Sequence, residues 1–483
     1  MRREPSRTGS AWGQLRARCR LLRWARPIAP WVTVAAVLFH ASSLHAQRRY
    51  YVDDLGTLGG YDNRALGVSE QGGIAGWSSC VEAGRPRAVL YAPGGPVNLG
   101  TLGGYDESYA QAINDDGRIV GYCCLSTSKR AAMHFGGSWT DLGSLGGTVS
   151  FAYDINNAGL VVGASTSSTL SASTYGFLIT PVDTNQDSVP DLWYRDQDQD
   201  GANDLMLKLG TFGGTSSLAQ GLNAQGQVVG WAQAASRTYA FLYSQSVMVN
   251  LGTLNPDVSS YATAINGSGA VVGYLEAMAD DMTVYRGFSF RDLNGNLQAD
   301  SGELTLLETL SDWSHLPYAV NDAGDAVGTV EADLLFVMHA GLWSGGHVWD
   351  LNNLIPQGSG CVLEEARDIN NAGRIVGSGL CEADGSYHAY RLTPATGGDA
   401  NGDRAVNVGD LGVLAGHWGQ GGQTWSEGDF TGDGLVNIGD LGVLAGHWGW
   451  TGAPPGSPPA VPEPTGLAIL ALGAAAIPRP RRR

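Results

Sequence analysis

Positive charge is scarce through most of this chain. Between residues 27 and 478 only 17 Lys and Arg stand against 45 Asp and Glu. A body so acidic repels nucleic acid, because phosphate binding needs clustered Lys and Arg. Bound cations are its natural partners, and acids outside ligand-spaced clusters serve as a solubilising surface. Catalytic signatures are missing as well. The nine His form no His-Glu-x-x-His motif and no pair at metal spacing. His417 and His447 sit in duplicated helical segments, where packing or surface roles suit them. The Gly-rich phrases lack the Lys of a phosphate-binding loop, so their glycines are turn formers. No catalytic residue is assigned, although a carboxylate pair among so many acids stays open. Long apolar runs are also wanting: Ile28 to Phe39 and Gly466 to Ile477 are both short for a membrane span.

What the chain does have is glycine, 70 residues of it, with a charged fraction of only 16%. Over 483 residues, room for two or more folded units, that balance suits a β-rich repeat protein with many tight turns. Residues 1–46 read as a secretory signal: Arg16 to Arg26 is Arg-rich, the apolar run Ile28 to Phe39 follows, and cleavage falls near Ala46. The expected location is therefore secreted or at the cell surface. Five Cys remain after cleavage, so in an oxidising compartment some pair and one is left over.

Repeats organise the middle of the chain. The phrase LGTLGG or a variant begins at Leu55, Leu99, Leu142, Leu209, Leu251, Leu307 and Leu351. Each is followed by an alternating apolar stretch and an Asn-x-x-Gly-like turn, as in INDDGRIVG from Ile113 and INNAGRIVG from Ile369. A third strand follows, such as HAGLW from His339 or HAYRL from His388. Short β-branched and aromatic runs between Asn, Asp and Gly turns are hairpin signals. Each unit thus supplies four strands over roughly 49 residues, near the size of a four-stranded propeller blade. The seventh unit lacks its fourth strand, and Tyr50 to Leu58 precedes the first unit without one of its own. Pairing the two would close a ring and remove its open edges. The expected fold is mainly β, a seven-bladed β-propeller-like ring over residues 50–394; an open β-solenoid is the alternative. Cys361 and Cys381 lie equally far from the turn at Asn371, which predicts a disulfide; the pairing of Cys80, Cys123 and Cys124 stays open. These repeats resemble the extracellular HAF repeat family, a resemblance that implies export and architecture but no particular activity.

Acids at ligand spacing come next. Asp399, Asn401, Asp403, Asn407 and Asp410 occupy positions 1, 3, 5, 9 and 12 of a loop, and Asp429, Thr431, Asp433, Asn437 and Asp440 repeat the pattern. That spacing wraps hard oxygen ligands around Ca²⁺, as in EF-hand loops. Each loop runs into DLGVLAGHWG, whose Leu411, Leu414 and Trp418, with Leu441, Leu444 and Trp448 in the copy, share one helical face. Residues 397–450 resemble a type I dockerin, a small α domain with two EF-hand-like loops. The resemblance implies two bound Ca²⁺ and a surface for a cohesin-like or other cell-surface protein. Arg404 replaces the turn Gly of the first loop, and the family's partner-reading positions hold Val408-Gly409 and Ile438-Gly439. Further acidic clusters lie in two insertions. In the third unit Asp183, Asn185, Asp187 and Asp191 precede Asp196, Asp198, Asp200 and Asp204, a serial spacing that resembles thrombospondin-type calcium repeats. In the fifth, Asp292, Asn294, Asn296, Asp300 and Glu303 match loop positions, with Leu297 in place of Gly.

Residues 451–464 form a Pro-rich linker, and residues 461–483 combine Pro462-Glu463-Pro464, an apolar run and four terminal Arg. This ending resembles the PEP-CTERM sorting signal, which implies cleavage by an exosortase during export and a transient membrane contact. Together these features predict an exported, surface-associated calcium-binding repeat protein acting as a binding or scaffolding module for a glycan or protein. Its 14 Trp and 18 Tyr suit sugar stacking as well as a core. The alternative is a polysaccharide-processing glycoside hydrolase, or a component of a polysaccharide-degrading assembly joined through the dockerin. A purely structural matrix component is a third reading.

Overall fold

Among the described residues twenty-eight strands fall into seven sets of four, six consecutive and the seventh completed from the other end of the chain. The structure, a computed structural model, describes residues 48–452 apart from 168–169, 255–257, 280–281, 297–298, 312–313, 333–336 and 357–358. The signal-like residues 1–46, the sorting tail 461–483 and nearly all of the linker lie outside the described residues. The seven sets make three four-stranded sheets and two of eight, because single parallel bridges fuse neighbouring sets at Asp62–Tyr387 and Val149–Lys129.

Each set begins with a first strand: Gly59–Val68, Glu107–Ile113, Gly146–Ile155, Ser217–Leu222, Ser259–Ile265, His315–Val320 and Cys361–Ile369. Successive first strands touch, and the seventh touches the first. The fourth strand of the seventh set comes from the other end of the chain, Tyr50–Asp54, which pairs antiparallel with Ser386–Pro394 from Tyr50–Pro394 to Asp54–Tyr390. Tyr50 is buried there with Leu351, Leu354 and Ile355. The expected pairing of the displaced strand is therefore present. So is the disulfide: Cys361 faces Cys381 in the register of their hairpin and is bonded to it. Cys80, Cys123 and Cys124 are buried free thiols.

Two local rules run through the repeats, the first in six units, since unit one has Ser69 at that turn. The first concerns the turn asparagine. Its amide oxygen accepts the N–H four residues on, as Asn114 does from Arg118 at 2.9 Å. Its amide nitrogen donates to the next unit. Asn114 donates to the carbonyl of Asn156 at 3.2 Å, Asn156 to Asn223 at 3.0 Å and Asn223 to Asn266 at 3.1 Å. Asn266 donates to Asn321 at 2.8 Å, Asn321 to Asn370 at 3.3 Å and Asn370 to Ser69 at 3.0 Å. The Gln71 N–H then donates to Asp115, linking unit one back to unit two. Buried amides are satisfied along the whole circuit, which is why Asn recurs there.

The second rule concerns the Gly of the second strand, at positions 76, 121, 163, 230, 273, 328 and 377. A Cβ on any of them would stand 1.9–2.1 Å from a carbonyl oxygen of the facing first strand. Only Gly tolerates that approach. One step further along, the first strand carries an extra residue, a β-bulge, in all seven units.

After Pro394 the chain forms two short helices, α1 (Val408–Gly416) and α2 (Ile438–Gly446). Leu414 and Leu444 are buried with Val406, Trp425, Phe430 and Val436. The helices stop at the His417 and His447 caps, so Trp418 and Trp448 sit just past them rather than on a continued helical face. Both still pack against the same cluster. Among the described residues no helix is long and apolar enough to cross a membrane.

Candidate functional site

The seven first strands line one cavity of about 430 Å³. Its wall is built by the bulges. The extra residue of each bulge faces the cavity: Leu66, Gln111, Tyr153, Gln220, Thr263, Tyr318 and Arg367. A bulge re-aims a side chain at a local break in the ladder, so one backbone device presents five kinds of side chain inward, Gln and Tyr twice each. Around them the sequence hardly varies: an Ala or Pro one residue before, then Ala, Gly or Asp, an aliphatic residue and Asn or Ser. Uniform flanks around a variable position are a sequence signal for a reading site. It becomes visible only when the seven copies are aligned on their Asn, and motif searching alone passes over it.

Several of these side chains already have partners. Arg367 pairs with Glu365 at 2.7 Å and lies 4.4 Å from the centre of the Tyr318 ring. The Thr263 hydroxyl donates to the Pro317 carbonyl at 2.9 Å. Aromatic rings run across units one to three: Trp77 meets Tyr109 edge-on, Tyr109 stacks on Tyr122, and Tyr122 meets Phe151 edge-on.

Of the carboxylates that line the cavity, Asp154 and Asp368 follow the bulged residues directly. Each keeps some surface open, yet protein encloses it, and burial pushes the first up to about 7 and the second to about 6. Both tie neighbouring units together. Asp154 accepts the Leu222 and Ile155 N–H groups at 2.9 and 2.8 Å, and Asp368 accepts those of Val68 and Ile369, both at 2.8 Å. A carboxyl whose pKa is higher in the folded chain takes up protons on folding. It favours the fold at low pH, and that contribution is lost as pH rises from about 4 through the folded value. In excess EDTA, the melting temperature is expected to fall between pH 5 and pH 8. The double variant Asp154→Ala, Asp368→Ala, with the residue of Ala112, Ala264 and Ala319, should flatten that slope. An unchanged slope would assign the pH dependence elsewhere.

The acidic loops differ among themselves. In the loop before α2, the carboxylates of Asp429, Asp433 and Asp440 offer oxygens within 4.8 Å of one another. Asp429 accepts the Gly432 and Gly434 N–H groups, both at 2.8 Å, and Asp440 accepts those of Thr431 and Asn437, both at 2.8 Å. Thr431 and Asn437 side chains point into the same network. In the loop before α1, Asp410 likewise accepts from Ala400 and Asn407, both at 2.9 Å. Asn401 donates its amide to Asp403. Asp399, however, accepts the Tyr51 hydroxyl at 2.5 Å, and its trio is not gathered to the same distance.

Arg404 is a second difference between the loops. It holds the left-handed backbone that position requires, at φ 65°, and its side chain leaves the loop. The guanidinium pairs with Asp53 at 2.6 Å and lies 4.9 Å from the Tyr51 ring centre. Trp450 stacks on the other end of this contact, 6.3 Å from Tyr51. The first loop is thus clasped to the strand that completes the seventh unit, a contact that loop spacing alone does not reveal.

In the third-unit insertion, Asp196, Asp198 and Asp200 bring oxygens within 4.8 Å of one another. Asp204 accepts the Gln197 N–H at 2.9 Å. The preceding residues fold on themselves: Asp183 accepts from Gln186 and Ser188, Asn185 donates to Asp187, and Asp191 accepts from Thr184. Trp193 and Asn203 anchor the insertion to the Gly159 and Leu142 carbonyls. In the fifth unit Asn294 and Asn296 turn their amide nitrogens to Asp300 at 2.7 and 2.8 Å, Glu303 accepts from Leu293 and Asp300, and Asp292 accepts from Gly295. Among the described residues, that loop and the Asp183 loop gather no carboxylate trio.

No protein-family model matches the chain, and no curated protein matches it. Among solved structures it is similar to Trypanosoma rangeli sialidase, at 10% identity over 59% of this chain and 54% of that one, with a TM-score of 0.33. The chain thus spans about half the length of that sialidase. It is also similar to the α-L-arabinofuranosidase from Podospora anserina in complex with cellotriose, at 8% identity over 73% of this chain and 98% of that one, with a TM-score of 0.24. Likenesses this slight say nothing about what the present chain binds or cleaves.

Proposed function

We propose that this is an exported, surface-associated binding module: a seven-bladed β-propeller of HAF-type repeats that holds a ligand in its central cavity, followed by a dockerin-like, calcium-binding helix pair. The observation that carries the reading is the set of seven bulged side chains, of five kinds, around one cavity, set in otherwise uniform repeats. The cyclic contact of first strands and the displaced fourth strand support the propeller. The N-terminal and PEP-CTERM-like segments support export, with an exosortase acting on the tail.

Calcium suits the second loop best, where Asp429, Thr431, Asp433, Asn437 and Asp440 supply hard oxygens and three carboxylates converge. Asp399, Asn401, Asp403, Asn407 and Asp410 offer the same chemistry with one ligand engaged by Tyr51. Arg404→Gly would free that loop from Asp53 and relieve a left-handed non-Gly residue, worth about 1 kcal/mol. Calorimetric titration of the full chain is expected to show tighter Ca²⁺ binding at one site in the variant. Hydrogen exchange of residues 50–54 should rise alongside. Unchanged affinity would remove the clasp as the reason the two loops differ.

The second reading is a polysaccharide hydrolase, favoured by Asp154 and Asp368, two enclosed carboxylates with raised pKa values on one cavity wall. Against it, both oxygens of each already accept backbone N–H groups, which leaves little freedom for proton transfer. Incubating the calcium-loaded chain with a polysaccharide panel separates the readings. Retention of the protein on a polysaccharide without products supports binding, oligosaccharides in the mass spectrum would make it an enzyme, and neither result would leave a matrix component. The intact mass of protein recovered from cells tests export: cleavage near Ala46 and at the Pro462-Glu463-Pro464 tail is expected, and uncleaved ends would overturn it.

A further inference from the structure

The cavity's polar groups divide unevenly around its wall. Thr263, Tyr318 and Arg367, in units five to seven, are engaged with Pro317, Thr329, Glu365 and one another. Gln111, Tyr153 and Gln220, in units two to four, are different. Among the described residues, neither amide nor the phenol hydroxyl makes a hydrogen bond, and all three side chains keep part of their surface open. Three adjacent units therefore offer two primary amides and one hydroxyl, free and uncharged, on one arc of the wall. The Tyr153 ring is held in place by stacking on Phe151, at 5.9 Å and 10°.

Charge narrows the ligand further. Glu70, Asp115, Asp154, Asp322 and Asp368 line the wall against a single guanidinium, Arg367, which Glu365 already neutralises. An anionic ligand would meet uncompensated carboxylates at short range. A cation would be attracted, but the oxygens it would pair with already accept N–H groups, Glu70 from Asn371, Asp115 from Gln71, Asp322 from Gly267 and the Asn371 amide, whereas the amides of Gln111 and Gln220 and the Tyr153 hydroxyl are free. Amides and a phenol beside tyrosine rings fit a polyhydroxylated, uncharged molecule, which has hydroxyls to pair with the amides and C–H faces to lie on the rings. A volume of about 430 Å³ falls within the range that holds small ligands, about 300–1,000 Å³.

We infer that the cavity binds a neutral sugar, read by the arc of Gln111, Tyr153 and Gln220. This rests on the binding reading above and names its ligand class. The amides fix hydroxyl positions, and the Tyr153 hydroxyl adds a third contact from the unit between them. The engaged side of the wall, Tyr318 under Arg367, is a rigid backstop.

The test is saturation-transfer NMR on the calcium-loaded full chain with three probe series: neutral gluco-, xylo- and manno-oligosaccharides, acidic oligogalacturonates, and cationic glucosamine oligomers. Saturable binding of a neutral series is expected. Gln111→Ala and Gln220→Ala should each weaken it about tenfold, the scale of one hydrogen bond that includes its unpaired partner. Tyr153→Phe, which keeps the ring and the packing, should weaken it less and leave melting unchanged, so a misfolded alanine variant cannot be mistaken for lost recognition. Binding of the acidic or cationic series with the same sensitivity would overturn the neutral class and leave the cavity as the binding site. Neutral-sugar binding indifferent to all three variants would move the site elsewhere. Silence from every series would overturn both this inference and the reading it rests on.

Discussion

Replacing Gly230 with Ala is expected to destabilise the repeat body by about 3 kcal/mol or more, the upper part of the range for overpacking a core. The added Cβ would stand 2.0 Å from the Leu218 carbonyl oxygen and 3.0 Å from the Ala219 Cα. Both obstacles are backbone, so no side-chain rotation relieves the clash, and one strand of the Ser217–Leu222 and Val228–Gln233 pair must shift. The effect reaches the cavity, because the bulge at Gln220 lies one residue beyond the contact. Ligand binding should therefore suffer more than global stability alone accounts for. Gly103→Ala is the control: a Cβ there meets nothing within 4 Å and the backbone is not left-handed, so its effect should be within about 0.5 kcal/mol. Urea denaturation of both variants is the measurement. Equal midpoints would show that the second-strand glycines are conserved among the repeats for some reason other than backbone approach.

That glycine illustrates what sequence reading reaches and where it stops. The repeat length, the four strands per unit and the Cys361–Cys381 bridge are one-dimensional regularities, fixed by hairpin geometry between neighbours in the chain, and the displaced strand at Tyr50 follows from counting strands at the two ends of the repeat. Counting residues from the Asn371 turn suffices for the bridge. The bulge is different. It arises where two strands fall out of step by one residue, and the apolar alternation of a strand such as SYAQAI from Ser108 looks regular through it. The identity of the inward residue depends on that step, so Gln111, Tyr153 and Gln220 read as ordinary strand residues until the register is known. The clasp at Arg404 was hidden for another reason. Arg in place of a turn Gly reads as a weakened loop, but its partner Asp53 lies 351 residues away, and no local pattern connects them. The acidic loops stand between these cases: spacing singles out all of them, but whether carboxylates converge depends on what else takes their oxygens, as Tyr51 does at Asp399 and Thr184 at Asp191.

The second loop of the helix pair is where convergence and burial coincide, and Asp440→Ala is expected to unfold the pair. Asp440 is fully buried. It accepts the Thr431 N–H at 2.8 Å, the Thr431 hydroxyl at 3.0 Å and the Asn437 N–H at 2.8 Å, the last being the first turn of α2 caught in a capping box. Removing the carboxylate strands these donors, at roughly 1–3 kcal/mol for each buried group left unpaired and about 1 kcal/mol for the cap, or ~4 kcal/mol together. A core as small as Leu414, Trp425, Phe430, Val436 and Leu444 with their neighbours has little to offset that loss. Hydrogen exchange of the full chain should show residues 408–416 and 438–446 exposed in the variant with or without Ca²⁺, while the first strands of the repeat body stay protected. Asp440→Asn separates the two roles of the side chain, since its one remaining oxygen still accepts a cap bond but no longer carries charge. In the wild type, Ca²⁺ at a hundred times its Kd would add about 2.7 kcal/mol per site, so EGTA should raise exchange in the same two segments. In Asp440→Asn, EGTA should change only what the first loop contributes. If EGTA leaves the wild type untouched while Asp440→Ala unfolds the pair, the loop is held by its own hydrogen bonds and calcium has no part in it. If both perturbations act on the same segments, the carboxylate that caps α2 is also the one that holds the ion.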